Sequence, residues 1–113
     1  MNQPLFTLNN IKVVAKKDQI NIVLLDNISF NIEKEEILGL IGKTGSGKTM
    51  IGKLLIDILP YGVKLKSGDL LFESKTISKT RSKMRGIIVS MIFQDPLKSL
   101  NPVHTIKKQF NLL

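Results

Sequence analysis

The pattern of apolar and polar positions changes character several times along the chain, and each change predicts an element. Leu5 to Val14 alternates loosely. It is bounded by Pro4 and by the polar Lys16-Lys17-Asp18-Gln19 stretch, and predicts a strand. Asn21 to Ile32 carries Ile22, Leu24, Ile28, Phe30 and Ile32 at even positions. A period of two with β-branched residues predicts one strand, or two with a turn at Asp26-Asn27. Glu33 to Glu36 is a charged turn, and Ile37-Leu38-Gly39-Leu40-Ile41 is then apolar throughout. Such a run predicts a strand buried on both faces. Ile51, Leu54, Leu55, Ile58 and Leu59 recur at helical spacing. They predict a helix from Lys48 to Leu59, stopped by Pro60 with Gly62 beyond it. Lys66-Ser67-Gly68-Asp69 predicts a turn before a short strand, Leu70-Leu71-Phe72. Ser78 to Met84 is polar and basic and predicts a short helix. Ile87 to Phe93 is the second strongly apolar run, expected as a strand, and it exits abruptly into Gln94-Asp95-Pro96. Leu100-Asn101-Pro102 predicts another turn, and Thr105 to Leu113 the beginning of a helix. Repeats and low-complexity stretches are absent.

Between the first apolar run and the helix stands Gly42-Lys43-Thr44-Gly45-Ser46-Gly47-Lys48-Thr49. It is G-x-x-x-x-G-K-[ST] without a mismatch, in the strand–loop–helix context that makes the pattern a phosphate site. Gly42, Gly45 and Gly47 let the backbone turn with no Cβ in the way. Its N–H groups then form an anion nest, and the helix N-terminus adds unpaired donors and the positive end of its dipole. Lys48 can reach the β- and γ-phosphates, and the Thr49 hydroxyl can ligate Mg²⁺.

Composition narrows the picture. The chain has 113 residues, enough for one domain. It has no cysteine, so disulfides and thiolate metal sites are excluded, and a reducing compartment suits it. The N-terminus lacks the basic and apolar regions of a signal peptide, and no run is long enough to span a membrane. The net charge of +8 is almost all lysine, scattered without a run of five like charges. One Tyr and no Trp leave little for base stacking, so a dedicated nucleic-acid function is not favoured. His104 is the only histidine and has no cysteine beside it, which reads as a solvated loop residue rather than a metal ligand.

Ile92-Phe93-Gln94-Asp95-Pro96-Leu97-Lys98-Ser99-Leu100-Asn101-Pro102-Val103-His104-Thr105-Ile106 resembles the Q-loop region of ATP-binding-cassette transporter ATPases. Ser99-Leu100-Asn101-Pro102 is similar to the branch that energises uptake of oligopeptides, dipeptides and nickel. Ile58 to Val63 with Ser67-Gly68 resembles that branch too, nickel importers in particular. So does Leu25 to Phe30 ahead of Glu36 to Leu40. The resemblance covers almost the whole chain. It implies an α/β fold, a P-loop NTPase core with N-terminal antiparallel strands, of which residues 1–113 are the N-terminal part of the ATP-binding domain. It implies ATP and Mg²⁺ as ligands, bound by residues 42–50: Gly42, Lys43, Thr44, Gly45, Ser46, Gly47, Lys48, Thr49 and Met50. Gln94 matches the glutamine that reaches Mg²⁺ and the attacking water and couples the site to the membrane subunits. An amide suits that role, with a carbonyl for the metal and donors for oxygen.

The implied protein is peripheral, on the cytoplasmic face of the cell membrane. Its partners are membrane-spanning subunits, a second ATP-binding subunit and, indirectly, an extracellular substrate-binding protein. ATP hydrolysis would drive import of a peptide or a nickel chelate. The family's serine-glycine signature, its Mg²⁺-holding Asp, its catalytic Glu and its switch His all lie beyond the Q-loop, where this sequence stops. Two other readings stand beside this one: a non-functional truncated remnant, and another kind of P-loop NTPase. Departures from the family pattern concern the nucleotide. The aromatic that normally stacks on adenine near the end of the first strand is missing from Val13-Val14-Ala15-Lys16. Glu35 replaces a turn glycine, and Lys43 stands where an acidic or small residue is common. The Lys43 charge could help bind phosphate or only decorate the surface.

Overall fold

A computed structural model describes residues 4–43, 45–93 and 103–111. Its centre is an antiparallel sheet. Strand β1 (Phe6–Lys17) turns through Asp18 and Gln19 into β2 (Ile20–Ile32), and the two pair antiparallel from Phe6↔Ile32 to Lys17↔Ile20. Asp18 and Gln19 both have positive φ, 51° and 64°. That is the two-residue hairpin turn whose twist matches the strands. On the other side of β1 lies β3 (Val63–Phe72), also antiparallel, and β4 (Lys75–Thr76) extends the edge in the order β2-β1-β3-β4. Helix α1 (Lys48–Leu55) lies on one face of this sheet, followed by the single-turn α2 (Arg81–Met84) and by α3 (Ile106–Asn111).

The alternation read from the sequence makes part of the core, but in β2 a register shift moves burial off the even-numbered set: Leu25 is buried, while Ile22 and Leu24 are exposed. Leu8, Ile11 and Val13 of β1, Leu25 of β2 and Leu70 of β3 meet Ile51 and Leu54 of α1, with Ile77 and Met84 closing one side. Leu54, Leu70, Ile11 and Val13 are fully buried. Each such side chain contributes about 1.5–3 kcal/mol by leaving water, which compensates for the short helix: eight residues alone would not hold together.

The sheet is irregular where the sequence suggested breaks. Asn21 to Ile32 is one strand, and Asn27, with φ 52°, sits in a stretch of shifted register rather than in a turn. The expected turn at Lys66–Asp69 is a bulge inside a continuous β3. Gly68 has φ 102°, and a Cβ there would lie 2.5 Å from the Asn10 carbonyl oxygen and 2.7 Å from that of Asn9. Only glycine lets the two strands approach this closely. The bulge is held from the other side by Ser29, whose Oγ accepts from the Asn10 amide at 2.8 Å.

Three further expectations need correction. The helix ends at Leu55, not Leu59. Ile56 and Asp57 leave it as a turn, Asp57 at φ 59°, and the Ile58 amide donates to the Lys53 carbonyl at 2.9 Å. This closure satisfies end carbonyls before Pro60 is reached. Ile37–Ile41 is not a buried strand; it has no regular secondary structure, and Ile37 and Ile41 are fully exposed. Ile87–Phe93 is not a strand either. Its beginning is a turn closed by one isolated bridge between Arg85 and Val89, and residues 90–93 have no regular secondary structure. Both runs are apolar on both faces and need a paired neighbour and cover on each side. Among the described residues neither is paired in a ladder; the second run has only the Arg85–Val89 bridge, with Val89 against the core and Met91 beside Gly52. The antiparallel N-terminal part of the expected fold is therefore present, while a parallel sheet is not formed among the described residues.

Candidate functional site: the glycine loop on α1

The loop follows the Ile37–Ile41 segment and enters α1 at Gly47, which serves as its N-cap with φ 101° and no side-chain capping bond. The first turn of α1 carries no acidic side chain. Its amide donors and dipole are thus left to whatever approaches from outside. The Ser46 amide donates to the Lys43 carbonyl at 3.0 Å, and the Ile51 amide to the Gly47 carbonyl at 3.0 Å, so the loop curls directly into the helix. Lys48 turns back over the loop and donates from Nζ to the Gly42 carbonyl.

Two glycines are there for space. A Cβ on Gly47 would lie 2.5 Å from Leu25 Cδ2, so the loop is pressed onto the α1-facing side of β2. One on Gly42 would lie 2.6 Å from Ser46 Oγ, inside the curl. Lys43, Gly45, Ser46 and Thr49 are exposed, Lys48 and Met50 half-buried. The structure brings Gly42, Lys43, Gly45, Ser46, Gly47, Lys48, Thr49 and Met50 together in one curl. Thr44 and Gln94 lie outside the described residues.

The donor set fits a Mg-nucleotide. Backbone amides open at the helix start, a lysine amine inside the curl and an exposed Thr49 hydroxyl are what phosphate and a hard cation require. Lys48 would exchange the Gly42 carbonyl for phosphate oxygens. Among the described residues no group of three or more His, Cys, Asp or Glu could hold a metal ion.

Sequence reasoning missed Arg81. It is the one buried charged residue among those described, at 6% exposure. Its Nη1 donates to the Leu54 carbonyl at 2.8 Å, and its Nη2 to Asp57 Oδ1 at 3.1 Å. It therefore closes the C-terminal end of the helix whose N-terminal end is the loop. Burial lowers the Arg81 pKa from its ordinary value, and the Asp57 carboxylate works against that shift. The sequence signal was only a basic residue in a polar stretch. A surface depression of about 430 Å³ beside Arg81, also lined by Asp57, Leu59, Val63, Lys64, Leu65 and Ser78, contains no loop residue.

The family model described as "ABC transporter" matches residues 25–110, a span that begins under the loop at Leu25 and runs through Gln94. The chain belongs to the ABC transporter family. Among curated proteins it is similar to the peptidoglycan transport ATP-binding protein YejF of Agrobacterium fabrum, 34% identical over 95% of this chain and 20% of that one. It is 39% identical to the oligopeptide transport ATP-binding protein OppF of Streptococcus mutans, over 86% of this chain and 32% of that one. It is 36% identical to the oligopeptide transport ATP-binding protein AppD of Bacillus subtilis, over 93% of this chain and 34% of that one. The chain thus spans roughly a fifth to a third of the length of these ABC relatives. None of the described helices is long and apolar enough to cross a membrane.

Proposed function

We propose that this chain is the nucleotide-binding, N-terminal part of an ATP-binding subunit of an ABC importer, and that it holds Mg-ATP in the loop at residues 42–50. The observation that carries the reading is the curl from Gly42 to Thr49 at the open start of α1, with Lys48 folded into it. In this reading the loop amides and Lys48 hold the β- and γ-phosphates, and Thr49 holds Mg²⁺. Gln94 reaches the metal and water and carries the coupling to membrane-spanning subunits. Bound ATP supplies the transferable phosphoryl group; positioning and charge neutralisation are the protein's part.

The printed names of the relatives favour peptides as the imported substrate. Nickel, which the sequence resemblance also admits, finds no such support. The working location is the cytoplasmic face of the cell membrane, beside a second ATP-binding subunit. The test is equilibrium binding of labelled Mg-ATP to the chain and to Lys48→Ala. The variant should bind about tenfold more weakly or worse, since a charge-assisted hydrogen bond contributes about 1.5–3 kcal/mol. Equal binding by both proteins would sink the proposal.

A further inference from the structure

The end of α1 opposite the loop is a second place where charge and apolar surface meet. A depression of about 430 Å³ opens there, within the size range of small-molecule sites. Its walls come from three parts of the chain. Asp57 and Leu59 follow α1, Val63 and Leu65 begin β3, and Ser78 and Arg81 lie at the start of α2. Leu59, Val63 and Leu65 are half-buried, so apolar surface is left for a ligand to cover. The charge is unbalanced. Of the five N–H donors of a guanidinium, Arg81 uses one on the Leu54 carbonyl and one on Asp57 Oδ1. Nε is closed off from solvent and has no partner among the described residues. Burial lowers the Arg81 pKa, and the Asp57 carboxylate offsets only part of that. The Asp57 side chain is 40% exposed, so water screens its contribution. A single contact with one carboxylate oxygen also falls short of the bidentate pairing that suits arginine. Lys64 brings a further cation to the lining, so two positive charges stand against one carboxylate.

We propose that the depression beside Arg81 is a binding site for a small monocarboxylate with an apolar body. The carboxylate meets the Nη hydrogens of Arg81 that Leu54 and Asp57 leave free. Ser78 lines the same space and brings a hydroxyl as a further donor. The body of the ligand covers Leu59, Val63 and Leu65. The lining selects the ligand's charge. A monoanion balances the one positive charge in excess, whereas a dianion such as phosphate overshoots it and meets the Asp57 carboxylate at close range. An uncharged ligand leaves the buried guanidinium uncompensated. No residue of the loop at 42–50 lines the depression, so this site stands apart from the nucleotide site and does not depend on it.

The experiment titrates hexanoate into the full 113-residue chain, followed by amide chemical shifts, beside hexanamide, acetate and inorganic phosphate. Hexanoate should bind about tenfold more tightly than hexanamide, which keeps the body and loses the charge. Acetate, which keeps the charge and loses the body, should be weaker by a similar factor. Phosphate should also be weaker than hexanoate. Two variants remove the same Arg81–Asp57 ion pair and should move the affinity in opposite directions. Arg81→Met should weaken hexanoate about tenfold or more. Asp57→Asn should tighten it about threefold, because a competing carboxylate is gone. Asparagine tolerates the φ of 59° at this position, so the turn is kept. A merely structural role for the pair predicts weaker binding in both variants, and that result overturns the site. Equal affinity for hexanoate and hexanamide, tighter binding of phosphate than of hexanoate, or no hexanoate binding by the unchanged chain overturns it as well. So does displacement of hexanoate by Mg-ATP, which would put the carboxylate in the loop instead.

Discussion

The β1–β2 hairpin and the Ile37–Ile41 run are neighbours in sequence and similarly rich in aliphatic residues, yet they end in opposite states. In the hairpin, Leu8, Ile11, Val13 and Leu25 are buried under α1, although Ile20, Ile22, Val23 and Leu24 toward its tip are exposed. In the run, Ile37 and Ile41 are fully exposed. The difference is in where the hydrogen-bond partner comes from. An antiparallel partner can follow after a two-residue turn, here Asp18-Gln19, so the strand pair closes at small entropic cost. A run that is apolar on both faces suits a parallel sheet, whose partners arrive through long crossovers and whose faces both need covering. Alternation in a sequence specifies a strand and supplies the means to bury it. An unbroken apolar run specifies a strand that depends on others.

The sharpest way to test this contrast is to truncate one apolar residue in each region. Leu70 is fully buried in β3. Leu70→Ala should cost about 2–5 kcal/mol, from lost burial and the cavity left behind. Ile41→Ala should cost less than about 0.5 kcal/mol, as a surface change does. Urea unfolding of both variants measures the two values. Similar losses would mean that the Ile37–Ile41 run is packed in solution and that the contrast is mistaken.

The next largest effect tests the irregularity that lets β1 and β3 pair. Gly68→Ala would place a methyl against the Asn9 and Asn10 carbonyls at a φ of 102°. The strain should cost about 1–3 kcal/mol in a denaturant melt. An unchanged midpoint would show that the bulge relaxes freely and that β1–β3 pairing is looser than its register implies.

Legibility followed the same division. Alternation at Leu5–Val14 and Asn21–Ile32 located the antiparallel strands, but not every buried position, because the register shifts of β1 and β2 put Leu25 rather than Leu24 into the core. The loop at residues 42–49 was legible because its glycines, lysine and threonine answer to a ligand's chemistry at fixed spacing. What stayed hidden depends on contacts distant in sequence. Gly68 reads as a turn glycine until Asn9 and Asn10 are found against it. Arg81 reads as a surface cation until the Leu54 carbonyl and Asp57 are found around it. The early end of α1 depends on Asp57 adopting positive φ, a state that aspartate tolerates but does not announce.

Arg81 offers a smaller and more local test, at the boundary between the packed region and the second apolar run. Arg81→Met keeps the apolar stem and removes the donors to Leu54 and Asp57. The loss leaves a helix-end carbonyl unpaired, but it also removes a buried Nε that has no partner among the described residues. The two should nearly offset, for a net cost of about 1 kcal/mol. A loss as large as that of Leu70→Ala would make Arg81 a cornerstone of the core rather than a clamp on the end of α1.

The smallest change in stability should come with a visible change in behaviour. Ile37 and Ile41 present whole side chains to water, and Ile92 is 95% exposed in the second run. Apolar segments without strand partners can pair with another copy of themselves, and charge placed on them opposes that. The double substitution Ile37→Lys and Ile41→Lys should therefore leave the unfolding midpoint within about 0.5 kcal/mol of the parent. Light scattering of the same protein at rising concentration should show less association. The Mg-ATP affinity should stay within about twofold, because neither side chain belongs to the curl at residues 42–49. Should the double variant unfold more easily by more than about 1 kcal/mol, the run would have to be packed against the domain in solution. The division between a self-sufficient antiparallel sheet and dependent apolar runs would then have to be redrawn.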